Sequence, residues 1–243
     1  DFAPREDVLS ASAASRIAID TPAIDGSIAL QGGRIDDINL RQYRRTIERD
    51  SGEVTLLAPM NSTYGHDAFF GWEMQEGPDV RTLADNTSGW TAPPGARLTP
   101  ATPVTLTLQP RPGVTIERTI SIDDNFMFTI SEVVRNTTGP PVSVRPLGVV
   151  RRHGVPQDYR QNQIVHQGMI GTIGTVTQRS TFSQADKHAR ERGRNRVGRD
   201  ARIRELQGEN SWLGLTDHYW LAAIIPDRNE DVSIYFDARS TQD

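Results

Sequence analysis

Apolar residues along most of this chain fall at every second position. The pairs and triplets run Ile17/Ile19, Ile28/Leu30, Phe70/Trp72/Met74, Val104/Leu106/Leu108, Val114/Ile116, Ile120/Ile122, Phe126/Phe128/Ile130, Val142/Val144 and Val232/Ile234/Phe236. A period of two buries one face of each strand. Turn residues separate the runs: Gly32-Gly33, Asp50-Ser-Gly52, Pro93-Pro-Gly95, Gln109 to Gly113, Asp123-Asp-Asn125 and Thr138 to Pro141. Glycine supplies positive φ, proline presets the first corner of a turn, and Asp or Asn tolerates the left-handed region. Many short strands joined by hairpins predict an all-β antiparallel sandwich. The absence of a 3.6-residue period before residue 183 excludes doubly wound α/β folds and helical bundles.

Two segments break the alternation. Residues 1–15 are small, polar and alanine-rich and read as a flexible linker arm with weak helix potential. Ser183 to Gln207 is polar, arginine-rich and interrupted by Gly193 and Gly198, with Gly208 just beyond it. Its helix propensity is adequate, but it shows no apolar stripe for docking, which predicts a short, partly helical or mobile excursion. Residues 16–243 are then expected to form a single domain.

Composition narrows the function. With 36% hydrophobic and 24% charged residues, the chain can bury a core without metals or disulfides, and it has no cysteine. The longest apolar run, Tyr219 to Ile225, is far short of the ~20 residues of a membrane helix. The net charge of −4 is uneven: Lys187 to Arg204 carries +6, leaving −10 on the remainder. An acidic body excludes general nucleic-acid binding, which needs a broad basic face.

The candidate chemistry is sparse. His66, His153, His166, His188 and His218 show no metal-ligand spacing, so neither a metal nor a cofactor is expected. The run Gly168 to Gly174 lacks dinucleotide-loop spacing and reads as a bent strand. His153 and His218 lie where strands meet turns, their plainest role being a local hydrogen bond. The sharper alternative is a sugar site in which His153 or His218 works with a carboxylate such as Asp217, Asp158 or Glu132 beside Trp72 or Trp212. The arginine cluster Arg190, Arg192, Arg194, Arg196 and Arg199 is either a solvated loop or a docking arm for an acidic partner or anionic lipid headgroups.

Several stretches, in order, carry a family likeness. They are Ile19-Asp-Thr-Pro22, Gly26 to Leu40, Ile120 to Phe126, Arg152-His-Gly-Val-Pro156, Ile164 to Gly171 and Ser211 to Asp227. Together they resemble the large periplasmic domain of the bacterial membrane protein insertase YidC, of alphaproteobacterial type. The resemblance implies a β-supersandwich similar to the galactose mutarotase fold, on the periplasmic side of the inner membrane in a multi-pass parent. It also implies a non-catalytic binding or scaffolding role, with nascent inner-membrane proteins, the Sec translocon and its SecDF accessory complex as partners. Further strands are expected beyond Asp243. A carbohydrate-binding or sugar-epimerising protein is the alternative within that fold class.

Overall fold

The computed structural model describes residues 2–48, 50–160, 164–194 and 202–239. The chain divides into two compact units, Asp1–His153 and Gly154–Asp243. The architecture is all-β and antiparallel, as the alternation predicts.

The first unit begins with helix α1 (Arg5–Ser12) and a 3-10 turn (Ala13–Ser15). Its strands are β1 (Arg16–Asp20), β2 (Ile24–Ala29), β3 (Arg34–Arg44), β4 (Glu53–Leu57), β5 (His66–Glu76), β6 (Asp79–Ala84), β7 (Arg97–Leu98), β8 (Val104–Arg111), β9 (Val114–Ile122), β10 (Phe128–Asn136) and β11 (Ser143–Arg152). The large sheet runs β11-β5-β3-β2-β1-β7, with β4 added to β3 and β6 to β5. Among the described strand-to-strand pairings, the two-residue β1–β7 pairing alone is parallel. A second sheet, β10-β9-β8, packs on its apolar face. Ile17, Ile19, Ile24, Ile28, Ile38 and Leu40 supply one side of that core, and Val104, Leu106, Ile116 and Ile120 the other.

The second unit holds β12 (Gly168–Ile173), β13 (Val176–Thr181), helix α2 (Phe182–Gly193), β14 (Arg204–Gly208), β15 (Ser211–Thr216), β16 (Leu221–Ile224) and β17 (Val232–Phe236). Its sheets run β13-β12-β15-β16 and β14-β17. The glycine run from Gly168 is strand β12, with Gly174 at φ +55° turning the chain into β13.

Three local features depart from simple alternation. In β3 the sequence Ile35-Asp36-Asp37-Ile38 carries a bulge: Ile28 pairs with Ile35 and Ser27 with Asp37, so Asp36 is the extra residue. A bulge turns both aspartates away from the apolar core face. Within residues 1–15, Pro4 opens helix α1 and Glu6 and Asp7 occupy its positive first turn. The segment is seated by an Ala3–Ser62 bridge and by Arg5. Helix α2, for which no docking stripe was expected, does dock. Its stripe is Phe182, Ala185, Ala189 and Arg192, where two alanines and an arginine carry too little hydrophobicity to register as a stripe.

Candidate functional site

The polar face of the large sheet carries most of the organised charge. Starting at β7, Arg97 bonds Asp20 at 2.6 Å, and Arg41 bonds both Asp20 at 2.7 Å and Asp25 at 3.2 Å. Asn39 donates to Asp25 at 2.8 Å and accepts from Arg5 at 3.1 Å, while Arg5 also pairs with Asp37. Ser27 donates to Asp37, Arg16 bonds Ser27 and Asp36, and Arg34 spans Asp36 and Asp67. Arg151 closes the series with two bonds to Asp67, at 2.7 and 2.9 Å. This continuous network of ion pairs, bridged by the neutral side chains of Asn39 and Ser27, crosses from β7 to β11, and its central carboxylates Asp36 and Asp67 are fully buried.

Burial and pairing compete along this face. Asp20 sits below the usual carboxylate range because Arg97 and Arg41 hydrogen-bond its charged form. Burial alone would lower Arg41, but its bonds to Asp20 and Asp25 outweigh that and raise it. At Asp67 burial wins over Arg151 and pushes the carboxyl up.

The opposite face of the same sheet meets a buried arginine. Arg118 lies in the inward stripe Val114, Ile116, Arg118, Ile120, Ile122 of β9 and is fully buried. Strands β3 and β5 share only the Ile35–Ala68 pair, so backbone carbonyls near that seam need other donors. Arg118 supplies them, donating to the carbonyls of Phe70 at 2.7 Å and Gly33 at 3.4 Å. Its Nε bonds Glu132 of β10 at 2.8 Å, and the guanidinium lies 4.1 Å from the Trp90 ring. Gly33 is required there: at φ +55°, an added Cβ would sit 2.6 Å from Arg118 Nη1.

His66 is also buried. Its Nδ1 lies 2.9 Å from both the Leu56 carbonyl and Arg152 Nη2, and Nε2 has no partner among the described residues. Burial first, and Arg152 second, lower its pKa to about 3, so the ring is neutral.

Of the arginine cluster, Arg190, Arg192 and Arg194 lie on or just after α2, whereas Arg196 and Arg199 fall outside the described residues. Arg192 is buried and pairs with Asp237 at 2.7 Å and the Ala238 carbonyl at 2.9 Å. Its guanidinium fastens the helix to the segment after β17. Arg190 pairs with Asp186 one turn earlier at 2.6 Å, and Arg194 is exposed at the helix end. The helix starts on a capping box in which the Thr181 hydroxyl accepts from the Gln184 backbone and the Gln184 side chain accepts from the Thr181 backbone.

The sugar-site candidates are divided between the units. His153 belongs to the first, where its ring packs against Phe2 at a tilt of 31° with centroids 3.8 Å apart. Trp212, Asp217 and His218 belong to the second: Trp212 of β15 lies opposite Thr172 of β12, and the Asp217 amide bonds the Trp220 carbonyl in the following turn. His218 stacks on Tyr219. Among the described residues, no group of three His, Asp or Glu side chains is placed to hold a metal ion.

Comparison with known proteins places this architecture. A family model described as the YidC periplasmic domain matches residues 16–243. The chain belongs to the YidC periplasmic domain family. Curated relatives agree over nearly the whole chain. A membrane protein insertase YidC of Caulobacter vibrioides (strain NA1000 / CB15N) is 38% identical over 222 residues, covering 91% of this chain and 34% of that protein. One from Jannaschia sp. (strain CCS1) is 38% identical over 231 residues, covering 94% and 35% respectively. One from Bradyrhizobium diazoefficiens is 36% identical over 230 residues, covering 93% and 34%. The chain thus spans about a third of the length of the YidC proteins it matches. Those names support an insertase domain and lend nothing to the carbohydrate reading.

The sequence alone did not single out Arg118, Asp36, Asp67 or His66. A signal existed for two of these positions. The spacing Ile35, Ile38, Leu40 interrupts the period of two at adjacent aspartates, and Arg118 interrupts an otherwise apolar β9 stripe.

Proposed function

We propose that this chain is the binding and scaffolding module of a YidC-type membrane protein insertase, held on the periplasmic side of the bacterial inner membrane. The observation that carries the reading is the family match over residues 16–243, together with relatives of 36–38% identity named as membrane protein insertases. In this reading the parent inserts and folds nascent inner-membrane proteins, alone or with the Sec translocon and SecDF. The domain presents docking surface and performs no catalysis.

The electrostatics support a scaffold. The charges on the sheet face are consumed in internal pairs, many of them half-buried or buried, which favour a rigid platform over a solvated binding groove. Among the described residues no helix is long and apolar enough to cross a membrane. Deleting residues 16–243 from the parent tests the role: copurification of Sec translocon and SecDF subunits with the parent should fall. Undiminished copurification rejects the docking role.

A further inference from the structure

We propose that the second unit carries a phosphate-binding pocket between helix α2, strand β13 and strand β14. The pocket has a volume of about 250 Å³. Its wall holds three permanent cations, Lys187, Arg202 and Arg204, against the single carboxylate of Glu191, with His188 and Ser180 beside them. This is a local excess of positive charge on a chain whose net charge is −4.

The donors are not committed elsewhere to the same degree as those of the sheet face. Arg204 bonds only the neighbouring Ile203 carbonyl, at 2.8 Å, and has no carboxylate partner among the described residues. Lys187 Nζ stands 3.9 Å from Glu191, a loose pairing on an exposed helix face. Arg202 is held in orientation, its guanidinium 3.8 Å from the Tyr235 ring and paired with Glu205. Ser180 is 1% exposed, yet its hydroxyl makes no hydrogen bond within the described residues. A buried hydroxyl without a partner is unfavourable unless something supplies one.

The arrangement suits phosphate rather than a planar carboxylate. The lining donors come from the end of β13, the face of α2 and the segment entering β14, which suits an oxyanion with acceptors on several sides better than one with two coplanar oxygens. A free phosphate and a phospholipid headgroup offer the same chemistry. The inference does not depend on the insertase reading.

The test is a titration of the chain with inorganic phosphate, followed through the backbone amide resonances of Ser180 and Arg204, with chloride at matched ionic strength as control. Saturable shifts are expected, with affinity weakened about fivefold or more by Arg204→Gln and by Lys187→Gln, the scale of one basic side chain near an anion. Lys187 is on an exposed helix face, so its variant keeps the fold. Arg81→Gln in the first unit should leave the affinity unchanged. Shifts that fail to saturate, that chloride reproduces, or that neither pocket variant weakens overturn the pocket. Cosedimentation with phosphatidylglycerol vesicles identifies the source. Loss of vesicle binding in both pocket variants assigns the lipid headgroup, and phosphate binding without vesicle binding assigns the free ion.

Discussion

At the scale of single residues, stability rests on a few buried charges whose partners come from different strands. Arg118 is the clearest: burial pulls its pKa down more than Glu132 raises it, and the guanidinium also donates to the carbonyls of Phe70 and Gly33. Arg118→Met should lower stability by about 3–5 kcal/mol, because Glu132 and the Phe70 carbonyl lose their donor in a dry interior. Urea unfolding measures this, and the double variant Arg118→Met/Glu132→Leu should recover part of the loss. A double variant no better than the single one rules out the stranded carboxylate as the cause.

His66 gives a pH signature. Its folded pKa of about 3 lies below the ordinary histidine value, so the unfolded chain binds a proton between the two values while the folded chain does not. The stability it confers is complete above about pH 6.5 and is lost as pH falls toward 3, by roughly 3–5 kcal/mol in all. Most of this window lies above the range where carboxylates titrate. His66→Leu should therefore flatten the decline in urea midpoint between about pH 6.5 and 4.5. An unchanged slope contradicts the assignment.

At the scale of elements, the strands were legible and their irregularities were not. Alternation and turn chemistry locate β1, β8, β9 and β17, because a strand with one buried face writes its period into the sequence. Phe126 shows the limit. It continues the alternation of β10 but lies exposed in the preceding turn, since that strand starts at Phe128. Helix α2 was foreseen only as partial helix, its stripe being disguised by Arg192. Removing that side chain probes the element. Burial alone would raise Asp237, but Arg192 and Arg239 outweigh it and hold the carboxyl below its usual range. Arg192→Met should move the Asp237 pKa upward and speed amide exchange in α2, as read by NMR. A pKa that stays put places the helix anchor elsewhere.

At the scale of the whole molecule, the family was readable from ordered motifs, whereas the sheet-face network was not. Ion pairs such as Arg151–Asp67 and Arg97–Asp20 join residues 84 and 77 positions apart, and no local spacing announces them. The same fact accounts for the proposed role. Charge consumed inside the sheet leaves recognition to what remains exposed, which includes Arg194, the pocket beside α2 and the apolar side chains Tyr219, Leu221 and Ile225. The most direct measurement is biolayer interferometry of the immobilised chain against purified Sec translocon and SecDF in detergent. Saturable, reversible binding to at least one of them at micromolar concentration is the predicted result, and a flat response to both would contradict a docking module.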